Sequence, residues 1–334
     1  MHYKNYIAIL PILLVVAASG CTIPFLGSDP FNSNTPAQTG AIIEEFSPDY
    51  ANVHSGEEVT FRMKVKNTGS LTLQEGFAEV LGIDQVWTGS AGNVGEIFPL
   101  EQNCRHDIRK ITLLPADAER GTAGGETVCT WKYKAPDVVS GLSITANPRV
   151  RFYYSYKSST VKTITIASRE ELKALEQQGK SMPSESYSKT NSPISIDIET
   201  TTPIRTYEDK VEFPVVFKVK NIGGGTVCKL NSYDCKKKNP TGLGENDNWN
   251  KVVVKINLNG QLSFSDQTCV PPTITFVGNE PQTFSCKIVA NVQGQVGISQ
   301  RQIEANAEYG YFIDKTTEVI VYPSSEPMTP KMPS

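Results

Sequence analysis

Residues 61–69 and 215–223 read FRMKVKNTG and VVFKVKNIG, and the two stretches lie 154 positions apart. In both, apolar side chains alternate with polar or charged ones, which is the period of a strand with one buried face. Both end in Lys-Asn-x-Gly, and Asn and Gly tolerate the positive φ that a reversing turn needs. The stretches therefore predict the same strand in two copies of one unit.

The ends of the two units match as well. Tyr154-x-Tyr156 corresponds to Tyr309-x-Tyr311 at an offset of 155. In each pair the two rings share one face of a strand, so we expect partly buried rings with hydroxyls bonded to the backbone. Matches at nearly constant offset indicate a tandem duplication.

Each unit carries several short β-rich runs between turn residues, which is typical of a β-sandwich. In the first unit we expect strands at 41–46, 59–67, 76–87, 108–114, 127–134, 150–156 and 161–166. In the second we expect them at 194–199, 211–221, 251–258, 273–277, 283–290, 303–311 and 316–321. The predicted fold class is all-β, with two tandem immunoglobulin-like β-sandwich domains. Trp87 and Trp131 are expected in the core.

The domain organisation follows from these units. We predict a signal peptide at 1–20, a lipidated Cys and flexible tether at 21–40, sandwich 1 at 41–167, a linker at 168–193, sandwich 2 at 194–323 and a disordered tail at 324–334. In the linker, Ser168 and Glu171 form a capping box for a short helix over 170–178, which Gly179 would end. We expect the linker to be a hinge open to proteases.

The leader reads as an export signal. A basic start precedes the apolar run 7–18, which is short for a membrane span, and small residues lead to Cys21. Residues 18–21, Ala-Ser-Gly-Cys, resemble a lipoprotein lipobox without its preferred leading Leu. The resemblance implies cleavage before Cys21 and lipid on its thiol. An ordinary secretory signal, or an uncleaved anchor continuing through Leu26, remains an alternative.

The composition argues against a nucleic-acid partner. The chain has 334 residues and a formal net charge of −3, since 32 basic residues face 35 acidic ones. Three histidines leave little material for metal sites or imidazole catalysis.

Seven cysteines divide into Cys21 and six others. In an exported body six cysteines favour disulfides over a metal or redox site, and no Cys-x-x-Cys occurs. Six cysteines allow 15 complete pairing schemes. Equivalent places in the two repeats favour two disulfide pairs, and the remaining two cysteines would close one loop. The predicted pairs are Cys104–Cys129, Cys269–Cys286 and Cys228–Cys235.

The repeated pattern ending in Val-Lys-Asn-x-Gly, near the start of a sandwich, resembles the CARDB-type and related adhesion domains of archaeal and bacterial surface proteins. The resemblance covers both units loosely. It implies an extracellular β-sandwich used for spacing or binding, and it implies no reaction.

One segment, 228–250, has no counterpart in the first unit and is our candidate binding loop. A basic cluster there lies beside two aromatic residues, although solvated lysines on an irregular loop explain the same residues. The candidate binding residues are Tyr233, Lys236, Lys237, Lys238 and Trp249.

Two other stretches carry possible chemistry. Residues 244–250 offer oxygen ligands for calcium, but their order fails the calcium-loop pattern. Residues 104–107, Cys-Arg-His-Asp, hold a nucleophile, a base and an acid, yet neighbours on a strand point to opposite faces. We therefore predict no catalytic residue, no metal and no cofactor.

The sequence thus predicts a non-catalytic surface lipoprotein at the cell membrane, facing the extracellular side or a periplasm. It would act as a binding, adhesion or scaffold module for an unknown protein or glycan ligand of the envelope. The alternative is an accessory structural subunit of an envelope assembly such as a pilus, an S-layer or a secretion system. A solute-binding protein or an enzyme comes third.

Overall fold

The computed structural model describes residues 39–83, 86–89, 99–101, 104–105, 110–117, 120–182, 185–206, 209–236, 248–265, 269, 273–278, 280–293 and 297–324. All of them belong to one compact unit, Ala37–Ser334. The predicted signal peptide, Cys21, the tether up to residue 38 and the tail from residue 325 lie outside the described residues. Within the described residues, no helix is both long enough and apolar enough to cross a bilayer.

The described residues form mostly strands, as predicted. Those of the first repeat are β1 (Ala41–Pro48), β2 (Asn52–His54), β3 (Glu58–Asn67), β4 (Leu73–Leu81), β5 (Thr88–Gly89), β6 (Ile111–Leu113), β7 (Glu126–Lys134), β8 (Ile144–Ala146) and β9 (Arg149–Ser168). The connector holds α1 (Arg169–Gln177) and β10 (Tyr187–Lys189).

The second repeat has a similar order of strands and also contains a short helix. Its elements are β11 (Ile194–Thr200), β12 (Ile204–Thr206), β13 (Lys210–Asn221), β14 (Thr226–Cys228), α2 (Ser232–Lys236), β15 (Lys251–Leu258), β16 (Leu262–Phe264), β17 (Thr273–Thr275), β18 (Gln282–Asn291), β19 (Ile298–Thr316) and β20 (Val319–Tyr322). The all-β sandwich class predicted from the sequence is confirmed.

Each repeat has a four-stranded sheet of its own, in the order β1-β3-β7-β5 or β11-β13-β18-β16. The quoted stretches form most of β3 and β13. Their apolar side chains face the core, and Phe61 and Phe217 are completely buried. The alternation in those two stretches therefore predicts both the strands and their buried faces correctly.

The opposing layers of the two repeats merge into one nine-stranded sheet, whose main path is β17-β15-β19-β9-β4-β6. Its centre is an antiparallel ladder between β9 and β19, which pairs Arg149 with Thr316 at one end and Ala167 with Ile298 at the other. The sequence treats the connector as the link between the sandwiches, whereas the ladder also joins them strand to strand.

The prediction of two strands at 150–156 and 161–166 is wrong, because β9 runs through both without a turn. Residues 157–160, between the two predicted strands, are all polar, and two of their hydroxyls find partners in the second repeat. Ser158 Oγ donates to the Ile194 carbonyl at 2.7 Å, and Thr160 Oγ1 donates to the Ile196 carbonyl at 2.6 Å. Buried hydroxyls satisfied in this way allow the strand to continue.

The last strand of each repeat pairs within the other repeat. The end of β9 pairs in parallel with β12, with Ile166 opposite Ile204. The equivalent residue of the second repeat, Val321 on β20, lies opposite Val53 on the parallel strand β2. Each repeat therefore needs a strand from the other, and one hydrophobic core extends through both.

The connector helix is confirmed with its bounds shifted by one residue. Ser168 is its N-cap, and its hydroxyl accepts from the Glu171 amide at 3.2 Å. Gly179 follows the C-cap at a φ of +62°, which suits glycine.

Candidate binding surface

The segment 229–248 interrupts one strand of the second repeat. In the first repeat β4 is a single strand beside β9, with Gln74 opposite Ser155, Ala78 opposite Phe152 and only a bulge between Gln74 and Phe77. In the second repeat β14 ends with Cys228 opposite Gly310, and pairing with β19 resumes only at Val254 on β15. The candidate binding loop of the sequence analysis is therefore an insertion into a strand, and we call it the insertion.

The base of the insertion is closed by covalent and hydrogen bonds. Cys228 and Cys235 form a disulfide with a Cα–Cα distance of 5.3 Å. The Lys229 amide donates to the Asn248 carbonyl at 3.0 Å, and the Asn250 amide donates to the Val227 carbonyl at 2.8 Å. These contacts hold both ends of the insertion together.

The described start of the insertion, residues 229–236, lies across the central sheet and rests on the first repeat. The Ser232 amide donates to Ser155 Oγ at 3.1 Å, and the Ser232 hydroxyl donates to the Glu75 carbonyl at 3.0 Å. A Cβ on Gly310 would lie 2.0 Å from the Asn231 carbonyl oxygen, so the backbone of the insertion lies directly against the sheet.

Beneath the insertion lies an aromatic cluster on the sheet face opposite the main core. Tyr233 stacks on Phe77 with ring centroids 5.5 Å apart, and Phe77 stacks on Tyr153 at 4.7 Å. Trp249 lies 5.1 Å from Phe312. Such aromatic pairs stabilise a fold beyond the area they bury.

A buried charge completes the cluster. The Arg151 guanidinium lies 4.0 Å from the centroid of the Phe312 ring and donates to both carboxylate oxygens of Asp314 at 2.7 Å. Burial lowers the pKa of Arg151, but the hydrogen bonds to Asp314 outweigh this and raise it above its ordinary value. Arg151 therefore stays charged, paired and 9% exposed.

Tyr153 anchors the other side of the cluster. Its hydroxyl hydrogen-bonds to Glu79, which also accepts from Lys236 Nζ at 2.9 Å. Burial first, and then the Glu79 carboxylate, raise the pKa of Tyr153 well above its usual range. The phenol therefore stays neutral and donates to the carboxylate.

Three of the five candidate binding residues are described, and all three make contacts within the chain. Lys110 Nζ lies 4.7 Å above the half-buried Tyr233 ring. Trp249 Nε1 donates to the Cys235 carbonyl at 2.9 Å, and Lys236 pairs with Glu79. Lys237 and Lys238 lie outside the described residues. So do residues 244–247 of the stretch considered as a calcium loop. The prediction that these residues bind a ligand stays a prediction.

A groove of about 590 Å³ lies at the foot of the insertion. Leu230 is 58% exposed there. Glu75 and Asn231 line the groove, as do Lys157 and Glu308, whose charged groups lie 3.6 Å apart. The groove thus combines an exposed apolar side chain with polar groups of both signs, which is what a protein or glycan ligand can use.

The residues beneath the insertion were missed by sequence reasoning, although a signal was present. Phe152, Tyr153 and Tyr154 are three consecutive aromatic residues, so the alternation of a one-faced strand fails there, and the structure buries all three. A strand buried on both faces reads as a continuous run rather than an alternating one. That run indicates a second covering layer, here the insertion.

All three predicted disulfide pairs are confirmed. Cys104 and Cys129 have Cα atoms 5.9 Å apart, and those of Cys269 and Cys286 are 5.7 Å apart. Because Cys104 is oxidised and completely buried, it is not available as a nucleophile. His106 lies outside the described residues. The core positions of Trp87 and Trp131 are confirmed, since both are buried.

Within the described ranges there is no group of three or more His, Cys, Asp or Glu side chains arranged to hold a metal ion. Several of the strongly displaced pKa values in the same part of the chain belong to buried tyrosines. Burial raises the pKa of Tyr309 and Tyr311, whose hydroxyls are hydrogen-bonded.

No family model matches the chain, and no curated protein matches it. Among solved structures, a mutant of Salmonella alpha-2-macroglobulin is similar at 9% identity over 85% of this chain and 23% of that chain, with a TM-score of 0.22. Salmonella alpha-2-macroglobulin reacted with methylamine is similar at 10% identity over 83% of this chain and 16% of that chain, with a TM-score of 0.21. Escherichia coli alpha-2-macroglobulin activated by porcine elastase is similar at 9% identity over 85% of this chain and 33% of that chain, with a TM-score of 0.19. This chain thus spans a third or less of each of these chains.

Proposed function

We propose that this protein is a non-catalytic lipoprotein of the cell surface, which holds a binding or scaffold module outside the membrane. The observation that carries the proposal is the ladder between β9 and β19, together with the exchanged strands. It makes one stiff body of the two repeats, and it presents the groove at Leu230 on a fixed frame. Binding sites on rigid strands lose little entropy when a ligand is captured.

The location of the body supports the same proposal. Three disulfides are typical of proteins that fold in an oxidising compartment outside the cytoplasm. The lipobox-like residues before Cys21 then supply the anchor, by two or more acyl chains if attachment is to be stable.

Lipid attachment is tested by growing cells that express the full chain with an alkyne-tagged fatty acid. The chain should take up the label and partition into detergent, and Cys21→Ala should abolish both. A labelled Cys21→Ala protein would contradict attachment at Cys21. Cys228→Ala with Cys235→Ala is the matched control, since it removes two cysteines that form a disulfide but should leave the label.

The binding role is tested by placing a photo-crosslinking amino acid at Leu230 in the lipidated protein on its native envelope. We expect one discrete adduct from position 230. The control position is Val277, which is 74% exposed and lies on a different loop. An adduct with filament, S-layer or secretion subunits would support the alternative of an envelope-assembly subunit. Identical patterns from both positions would contradict a binding site at the groove.

A further inference from the structure

The connector helix α1 and the start of the second repeat form a separate groove of about 530 Å³. No residue of α1 is buried, so the helix covers little of the core. Leu172 and Leu175 lie on the same face of the helix, three residues apart, and both are half-buried in the groove. Met182 and Pro203 are half-buried beside them, which gives the groove an apolar floor.

Four cations line this groove, namely Arg169, Lys173, Lys180 and Arg205. All four are exposed, and among the described lining residues Glu176 is the one acidic side chain. Among the described residues none of the four forms an ion pair. This differs from the surface of β3, where Lys64 Nζ lies 3.1 Å from a Glu44 oxygen and 2.9 Å from a Glu126 oxygen.

The charge of the groove is opposite to that of the chain. The described residues that line it carry four positive groups and one negative group, whereas the whole chain carries a formal net charge of −3. Cationic side chains without an acidic partner, arranged around an apolar floor, attract a ligand that is both anionic and apolar.

We propose that the α1 groove binds an acidic, amphipathic peptide segment of a partner protein. Acidic side chains of the segment pair with the cations of the rim, and its apolar side chains contact Leu172 and Leu175. The floor is half-buried below exposed cations, so a narrow chain reaches both. A flat anionic membrane would reach only the rim.

The inference deepens the proposed scaffold role by naming a class of partner, and it rests on that role. The peptide-binding inference and the proposed scaffold role can be contradicted independently, because peptide binding is measured on the purified full chain in solution. Loss of lipid label at Cys21 would leave a peptide result standing.

The test uses fluorescence anisotropy with a fluorescein-labelled 12-residue peptide of alternating Glu and Leu. We expect wild type to bind it, and binding to weaken between about 0.05 and 0.5 M salt, since exposed charges are screened. Arg169→Glu with Lys173→Glu should lower the affinity about tenfold or more, because each exposed pair contributes up to about fivefold. Leu172→Ala should weaken binding without changing its salt dependence.

The matched control is Lys220→Glu with Lys255→Glu, which changes the net charge equally at two exposed positions outside the groove lining. It should leave the affinity within about twofold, because the ladder register places Lys255 level with Ser159, far along β9 from the groove at Arg169. Equal losses in both double variants would overturn the proposal. It would also be overturned if the peptide failed to bind while phosphatidylglycerol vesicles bound through Arg169 and Lys173. Because α1 has no buried residue, the variants should unfold at the wild-type temperature, which circular dichroism checks.

Discussion

Ser155 and Gly310 lie directly opposite each other in the ladder between β9 and β19, and they occupy equivalent positions in the two repeats. On either side of this pair, Tyr154 lies opposite Tyr311 and Tyr156 lies opposite Tyr309, so each tyrosine faces the equivalent of the other tyrosine of its own repeat. A local pseudo-twofold axis therefore passes through the Ser155–Gly310 pair. The insertion breaks this symmetry, because it has no counterpart in the first repeat and lies against Gly310.

Gly310→Ala should destabilise the protein and displace the insertion. The added Cβ would lie 2.0 Å from the Asn231 carbonyl oxygen and 2.8 Å from the Ser232 nitrogen, so backbone has to move. Overpacking of this kind costs about 1–3 kcal/mol. Denaturant unfolding measures the loss, and faster amide exchange at Ser232 would report the displacement. An unchanged free energy of unfolding would show that the insertion does not rest on this residue.

The repeated Asn of the Lys-Asn-x-Gly motif should stabilise the two repeats unequally. Asn67 is 1% exposed, and its Nδ2 donates to the carbonyls of Leu71 and Leu113 at 2.8 and 2.9 Å. Asn67→Ala removes both hydrogen bonds; the Leu71 carbonyl keeps the Tyr156 hydroxyl at 3.1 Å, but the Leu113 carbonyl loses its Asn67 donor, and a buried group left unpaired costs about 1–3 kcal/mol. Asn221 Nδ2 donates to the Gly225 carbonyl at 2.8 Å and its Oδ1 accepts from the Tyr311 hydroxyl at 2.6 Å, but Asn221 is half-buried, so water can replace the lost partners and Asn221→Ala should cost less. Denaturant unfolding of both variants measures the order, and the reverse order would contradict the argument.

The two halves of the chain should stay together after the connector is cut. A site for a specific protease inserted after Lys180, which is exposed, separates β9 from β11 along the chain. None of the three disulfides crosses this position. The cut protein should give two bands on a non-reducing denaturing gel but elute at the mass of the intact chain. Fragments that elute separately in native buffer would show a true hinge between independent domains.

Glu75 should make stability fall at acid pH. The hydrogen bond from Lys110 Nζ, at 2.9 Å, lowers the pKa of Glu75, and the Ser155 hydroxyl adds to this. A carboxylate with a lowered folded pKa stabilises above its unfolded pKa of about 4.3, and this contribution is lost as the pH falls through the folded value. Unfolding measured from about pH 5 to 3 should therefore be less pH-dependent in Glu75→Gln than in wild type.

The same pair can be checked by direct titration. Lys110→Met should raise the pKa of Glu75, as followed by the carboxyl carbon signal in NMR. An unchanged pKa in that variant would contradict the assigned cause.

Much of the fold could be predicted locally. Phe61 and Phe217 lie in alternating stretches whose period depends only on neighbouring residues, and the helix cap at Ser168 is equally local. The disulfide pairs followed from the repeat, because duplicated units place equivalent cysteines alike. The Tyr hydroxyls were also expected to bond to backbone: Tyr154 accepts from the Ala41 amide at 3.3 Å and Tyr309 accepts from the Ile194 amide at 3.2 Å. Both rings are fully rather than partly buried.

By itself, the sequence determined that the chain is a duplicated all-β protein, and it predicted that six cysteines pair inside their own repeats. Only the tertiary structure decided that the repeats share one sheet and exchange their last strands. It also turned Tyr233 and Trp249 inward onto Phe77 and Phe312. The physical reason is that alternation records which face of a strand is buried, but not which segment buries it. Ser158 and Thr160 are polar residues between two predicted strands, yet the strand continues through them where carbonyls from the other repeat accept their hydroxyls, and those carbonyls come from residues 36 positions away.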